Sequence, residues 1–257
     1  MSSKKQFRRS KGSKSNLSKR QALRAERKKK ELQRRILIIG SILVVVLVIT
    51  GLIIIPSNQN ITEQTSNIFE ITPVNYQTAN GTSIGNPDAA VKLQLFEDFK
   101  CSACQGYQQN IEPQVIKELA EKGRIQYTFH QFPFMDDQTA FKDSDNAALA
   151  SECAAEQNRF WDYKDILFAN MNFIMGEFSD EKMLAMAKSL KLDLKEFETC
   201  YHEGRYLDKI NADIELSRDL EVAGTPTLLI NGENISPGRV PTFEQILAKV
   251  EAIESSQ

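Results

Sequence analysis

The run Val91-Lys92-Leu93-Gln94-Leu95-Phe96-Glu97-Asp98-Phe99-Lys100-Cys101-Ser102-Ala103-Cys104 decides the fold. Val91, Leu93 and Leu95 alternate with polar residues, the period of a strand, which is expected over Val91–Phe99. Two cysteines three residues apart follow, at the start of a helical pattern expected to reach about Lys122. Thiols at that spacing can close a small disulfide, and the first sulfur faces the positive end of the helix, which favours its thiolate. Pro113 falls inside this helix and is expected to kink it. Gly123 ends it, and Arg124–Phe129 alternates again as a second strand. Strand, helix and strand in close succession read as a parallel βαβ unit.

Further along, residues 139–221 show no convincing strand. Helical patterning over Ala140–Ala169, Met183–Leu190, Leu194–Tyr201 and Tyr206–Leu220 predicts a helical insert. The Phe160-Trp161-Tyr163 cluster reads as its core. Thr227–Ile230 and a short strand near Ile235 flank Asn231-Gly232, a strong hairpin signal. Phe243–Ile253 closes the chain as an amphipathic helix.

Charge is segregated. Residues 1–35 carry fifteen Lys/Arg and two acids, whereas the remainder carries seventeen Lys/Arg and thirty-two acids. Between tail and body, Ile36–Ile55 holds no charged residue. As a helix that run spans about 30 Å, the thickness of a hydrocarbon core. A signal peptide is shorter and ends at a small-residue cleavage site. Pro56-Ser57-Asn58-Gln59 offers none, so an uncleaved anchor is expected. The basic side stays in the cytoplasm by the positive-inside rule, placing residues 56–257 outside. Beside an anchor the basic tail serves topology and anionic lipid rather than nucleic acid. Residues 56–84, polar and rich in Asn, Gln, Ser and Thr, read as a tether. All four cysteines (Cys101, Cys104, Cys153, Cys200) then lie on the outer side, where disulfides persist. Sequence alone permits three pairings.

Three segments together carry a resemblance: Phe96–Cys104, Arg159-Phe160-Trp161-Asp162-Tyr163, and Gly224-Thr225-Pro226-Thr227-Leu228-Leu229-Ile230-Asn231-Gly232. They look like the DsbA-like thiol-disulfide oxidoreductases, in particular membrane-anchored bacterial members, over about residues 85–253. The resemblance implies an α/β thioredoxin fold with a helical insertion at about 139–221, preceded here by one transmembrane helix. It also implies that Pro226 is a cis-proline packed against the CxxC. The Thr225 backbone beside it would pair with an extended substrate, a short β-augmentation. The alternative is an ordinary trans proline at a strand start. Cys153 and Cys200 fall in two helices of the insert, where related sequences often carry cysteines, which implies one structural disulfide. Two buried free thiols, or a second redox relay, are the alternatives.

Disulfide exchange needs an accessible thiolate and a second thiol to resolve the mixed disulfide. Cys101, nearer the helix start, is the expected nucleophile, and Cys104 the resolving thiol. Lys100 is expected to favour the Cys101 thiolate further. A zinc half-site or an inert bridge would be the bland readings, but no second CxxC or HxxxH supplies zinc ligands. Two departures from the family limit what carries over. Ser102 and Ala103 stand where Pro or His is common, so the redox potential is not inherited. Leu95 stands where the family often has an acid, six residues before the first cysteine. Glu97, on the same strand face, is the candidate proton relay; otherwise it is a solvated strand-end acid. His130 and His202 stand in unrelated contexts; His130, after a strand and before Gln131-Phe132-Pro133, reads as a packed or capping residue, the alternative being an approach to the active-site edge, and Asp136, Asp137, Asp143 and Asp145 read as solvated acids rather than a calcium cage. No metal or cofactor is expected.

These readings converge on an outward-facing oxidoreductase, tethered to the membrane through Ile36–Ile55 and expected to be monomeric. It donates the Cys101–Cys104 disulfide to exported proteins with free thiols and is reset by a membrane quinone-linked partner. A reductase is the runner-up. A non-catalytic peptide-binding module and a scaffold recruiting partners through its basic tail are the readings from other classes. Isomerases of the superfamily generally add a dimerisation domain, for which the tether is too short and polar.

Overall fold

The computed structural model of the chain describes residues 68–136, 140–172 and 174–256, with Lys30 and Gly40 as isolated positions. The expected membrane span Ile36–Ile55 lies outside the described residues apart from Gly40. Among those described, no helix is long and apolar enough to cross a membrane. The chain divides into two compact units, Met1–Thr62 and Glu63–Gln257, and the elements described here belong to the second.

Strand β1 (Ser83–Gly85) precedes β2 (Val91–Glu97). Helices α1 (Ser102–Asn110) and α2 (Glu112–Val115) follow, then a π-helical turn at Ile116–Ala120 and strand β3 (Ile125–Gln131). The insert comprises α3 (Asp143–Glu156), α4 (Phe160–Asn170), α5 (Asp180–Ser189), α6 (Leu194–Glu203) and α7 (Leu207–Asp219). Strands β4 (Thr227–Ile230) and β5 (Glu233–Asn234) and helix α8 (Phe243–Glu254) complete the unit. The sheet order is β1-β3-β2-β4-β5. β2 pairs parallel with β3, Val91 opposite Ile125 and Glu97 opposite Gln131. It pairs antiparallel with β4, Phe96 opposite Thr227. The central strand therefore ends between its two neighbours, and the cysteine pair sits just past that end.

Alternation sets the register of the core. Val91, Leu93 and Leu95 of β2 and Ile125, Tyr127 and Phe129 of β3 are fully buried on one sheet face, with the insert's Phe160, Trp161 and Phe168 in the same apolar cluster. Phe96 and Leu229 pack instead with Val222, Leu216 and Leu220. Asn231 and Gly232 both have positive φ, 50° and 81°, as a two-residue hairpin between right-twisted strands requires. In α8, Thr242 and Gln245 form a complete capping box.

Four expectations change at this level. The helix expected over Cys101–Lys122 breaks at Ile111, two residues before Pro113, which lacks an N–H and crowds the preceding turn. The helical stretch Ala140–Ala169 divides at residues 157–159, where Asn158 is left-handed with φ 59°. Strand β1, too short for its alternation to show in the sequence, pairs antiparallel with β3. Finally, the stretch expected to be a tether is docked from Ile68 onward. Ile68, Ile71 and Tyr76 pack against the core, Phe69 N–H donates to Asn170 Oδ1 at 2.6 Å, and Val74 N–H donates to Asp162 Oδ1 at 3.1 Å.

Candidate active site

Cys101 is the N-cap of α1, with extended backbone (φ −84°, ψ 120°). Its sulfur stands at the unsatisfied N–H groups of the first turn, the electropositive end of the helix. Both Cys101 and Cys104 are free thiols. Cys101 keeps a 9% opening to solvent and Cys104 none. The two thiols titrate in opposite directions. Cys101 is lowered to about 5, first by a hydrogen bond involving Cys104, then by Thr225 and by the backbone N–H groups of Cys104 and Ala103, against the cost of burial. Burial pushes Cys104 well above its ordinary value, reinforced by Cys101 and by the charge of Glu97. Lys100, expected to contribute, is turned away from Cys101. Its ammonium donates to the carbonyls of Asn172 (2.8 Å) and Ile174 (3.1 Å) and to Glu177 Oε2 (2.9 Å), and is not among the main causes of the low value.

The Thr225–Pro226 bond is cis. The Thr225 carbonyl lies 3.4 Å from Cys101 Sγ and accepts from the thiol. The Thr225 hydroxyl is buried with no partner within hydrogen-bond geometry. A groove of about 470 Å³ runs alongside, lined by Ala103, Glu221, Thr225, Pro226, Arg239 and Val240 among others. The 224–226 segment lies before β4 begins, so its backbone is not committed to the ladder that joins β2 and β4.

For Glu97, the candidate proton relay, the alternative of a solvated strand-end acid does not hold. The residue is fully buried, and neither carboxyl oxygen meets a hydrogen-bond partner within geometric limits. Burial drives its pKa well up and the nearby Glu112 adds to this, while Lys164 and the Cys104 thiol act in the opposite sense. Behind it, the buried Lys164 Nζ lies 2.5 Å from Glu112 Oε2 and 3.0 Å from Asp165 Oδ1. Tyr127 OH donates to Glu112 Oε1 at 2.9 Å. Glu97, with its raised pKa, and the Glu112–Lys164 ion pair thus form an ionisable cluster within an apolar core, adjoining the resolving thiol.

The remaining candidates are held in contacts of their own. Cys153 and Cys200 are bonded, joining α3 to α6 across 47 residues, and both are buried. His130 stacks on Phe96 with centroids 4.7 Å apart, its Nδ1 2.7 Å from Asp213 Oδ1. The acids expected to be solvated are partly buried as loop anchors. Asp143 accepts from the N–H groups of Gly176 (2.8 Å) and Phe178 (2.9 Å), and Asp136 from those of Ser144 (2.6 Å) and Asp145 (3.1 Å). Asp137 lies outside the described residues.

A βαβ core with a helical insert, an N-capping low-pKa thiol, a buried partner thiol and an adjoining cis-proline define a DsbA-like thiol-disulfide oxidoreductase. The comparisons agree. A family model described as Thioredoxin matches residues 77–249. A relative from Bacillus cereus, a probable disulfide bond formation protein D, is 32% identical over 160 residues, covering 60% of this chain and 72% of that one. Among solved structures, oxidised BdbD from Bacillus subtilis superposes with a TM-score of 0.60 at 22% identity, over 74% of this chain and 99% of the other. Chlamydia trachomatis DsbA does so with a TM-score of 0.59 at 19% identity, over 73% and 98%. The two structures establish the shared fold. The chain belongs to the thioredoxin family, and within it to the DsbA-like thiol-disulfide oxidases.

Proposed function

We propose that this protein introduces disulfides into exported proteins outside the membrane through Cys101 and Cys104. The observation that carries this reading is the split between the two thiols. Cys101 is held as a thiolate at about pH 5 and above, and Cys104 is kept protonated. Stabilising the Cys101 thiolate stabilises the dithiol form, so the disulfide becomes the more readily surrendered state.

In the oxidised enzyme, a substrate thiolate attacks Cys101 Sγ. The Cys101–Cys104 bond breaks, and the mixed disulfide forms. Cys104 leaves as a thiolate in a buried site and takes a proton, for which Glu97, protonated by its raised pKa, is the assigned donor. A second substrate thiolate then attacks the substrate sulfur of the mixed disulfide and expels Cys101 as its stable thiolate. The substrate gains a disulfide, and the enzyme retains two electrons. Thr225 and Pro226 flank Cys101 at the groove, where the Thr225 backbone pairs with an extended substrate. Cys153–Cys200 serves the scaffold.

In this reading residues 1–35 are a basic cytoplasmic tail, 36–55 a single membrane span, 56–67 the connection and 68–253 the catalytic domain with its docked leading segment. A membrane quinone-linked partner removes the two electrons, and the protein acts as a monomer. Its test is the equilibrium potential of Cys101–Cys104 in glutathione buffers, measured on the full chain in detergent. A value at or above about −150 mV supports disulfide donation, whereas one near about −270 mV turns the assignment to a reductase.

A further inference from the structure

Asp98 lies three residues before Cys101 and is almost wholly buried. Burial pushes its pKa up to about 6, against the pull of four hydrogen bonds, so Asp98 is a carboxylate at neutral pH, and that carboxylate is saturated. Oδ1 accepts from Lys100 N–H at 2.7 Å and from the Ser144 hydroxyl at 2.7 Å. Oδ2 accepts from the N–H groups of Phe134 and Met135, each at 2.9 Å. A carboxylate has about four acceptor sites, and here each oxygen holds two donors. The backbone carbonyl of the same residue accepts from Cys101 N–H at 3.0 Å. Side chain and main chain of one residue therefore build the turn that delivers Cys101 to the helix start, an Asx-type arrangement. The same carboxylate pins that turn to the loop after β3 and to the first turn of α3, two segments distant in sequence.

We propose that Asp98 is the positioning residue for the Cys101 thiolate, one buried carboxylate fixing the cysteine turn against both the β3–α3 loop and the insert. The inference rests on Cys101 being the reactive thiol. The stabilisation of that thiolate comes from short-range, directional donors: first the Cys104 thiol, then Thr225 and the backbone N–H groups of Cys104 and Ala103. Such contacts act only at the right geometry, and small displacements of a reacting group cost large factors in rate. Asp98 itself touches neither sulfur in the structure; it acts through the turn. Four donors aimed at one site also make it a poor site for the isosteric amide, which presents a single acceptor oxygen and in either flip turns its NH₂ group toward at least one backbone N–H.

The experiment follows the 240-nm thiolate absorbance of reduced, full-length protein against pH, for wild type, Asp98→Asn, Asp98→Ala and Ser144→Ala, each paired with the rate of exchange with a dithiol peptide at pH 7, above the Asp98 pKa of about 6. Asp98→Ala, which leaves all four donors without their acceptor, is expected to raise the Cys101 midpoint by about one pH unit or more and to slow exchange about tenfold. Asp98→Asn is expected to give an intermediate rise, and Ser144→Ala, which leaves three donors in place, a smaller one in the same direction. Urea midpoints separate this from simple destabilisation, because a loss of stability alone leaves the titration of the folded state unmoved. Should Asp98→Ala fail to fold, the Asn and Ser144 variants decide. Variants that lose stability yet titrate with the wild-type midpoint overturn the proposal. A wild-type Cys101 that itself titrates near 8.5 and does not exchange overturns the oxidase reading instead, so the two failures are distinguishable.

Discussion

Replacing Thr225 by Val removes one hydroxyl and keeps the shape of the side chain. That hydroxyl is buried and without a hydrogen-bond partner, and the carbonyl of the same residue accepts from the Cys101 thiol. On ionisation the hydroxyl becomes a donor to the sulfur anion, and it is among the causes of the low Cys101 pKa. A hydrogen bond to a charged group contributes about 1.5–3 kcal/mol, and one pKa unit is about 1.36 kcal/mol, so the loss amounts to roughly one to two units. Cys101 is 9% exposed, but its sulfur is less enclosed than that figure suggests, so solvent screening favours the lower end. The expected midpoint of Thr225→Val is therefore about 6 rather than about 5. One unit is also about 30 mV, in the direction of a less oxidising enzyme, because the dithiol form is the one destabilised. The sign of the pH dependence follows from the depressed pKa. The thiolate stabilises the reduced fold fully above the unfolded thiol value near 9, progressively less as pH falls, and not at all below about 5. At pH 7 the ceiling is about 2.7 kcal/mol, and screening reduces it to about 1–2. The assay is a 240-nm titration of the reduced protein with a parallel glutathione equilibrium. A Thr225→Val variant with an unchanged midpoint and an unchanged potential refutes the reasoning.

Glu97→Gln is expected to slow exchange by at least tenfold and to flatten its pH dependence, since it deletes the proton donor to Cys104; stopped-flow rates that match wild type across pH rule the relay out. In the folded state the Glu97 pKa is raised, so this group favours folding at low pH and loses that contribution as pH rises above the ordinary carboxyl value. The Gln variant should accordingly unfold at higher urea than wild type at pH 8. Cys153→Ser with Cys200→Ser opens a 47-residue loop and is expected to cost about 4 kcal/mol in the chain-entropy model. Urea unfolding measures this, while the Cys101 midpoint should hold. Lys164→Met leaves Glu112 and Asp165 without their shared cation and is expected to cost about 3–5 kcal/mol; a smaller loss would mean that the cluster carries little net charge.

The strands, the insert and the hairpin were legible because each rests on local periodicity or on turn chemistry: alternation at Val91–Leu95, the helical period through the insert, Asn231-Gly232 at the turn. The cysteine pair and the Thr225-Pro226 turn were legible because their chemistry is carried by residues adjacent in sequence. What escaped depends on partners far along the chain. Lys100 sits beside Cys101, yet its ammonium is claimed by Glu177 and two carbonyls of the 172–177 loop. Asp98 reads as one more acid near a strand end until Phe134, Met135 and Ser144 are brought to it. Glu97 ends the strand on the buried face of the alternation. Parity placed it inward, whereas the usual exposure of strand-end acids argued the opposite, and parity prevailed. Nothing local in Glu112 or Lys164 announces a buried ion pair, since the two residues lie 52 apart in sequence.

The bond between Cys153 and Cys200 has a consequence for an enzyme whose trade is moving disulfides. Exchange proceeds only where a thiolate can approach a sulfur along the bond axis. Both sulfurs of the insert are closed off from solvent, with the core around them belonging to α3 and α6. In the proposed reading the two sulfur pairs do not communicate: Cys101–Cys104 is cycled, and the buried Cys153–Cys200 bond is shielded from the thiols that the first pair handles. Were the insert's bond exposed, each mixed disulfide at Cys101 would bring a reactive thiol to a competing target on the same molecule. Burial spares the catalyst from becoming its own substrate.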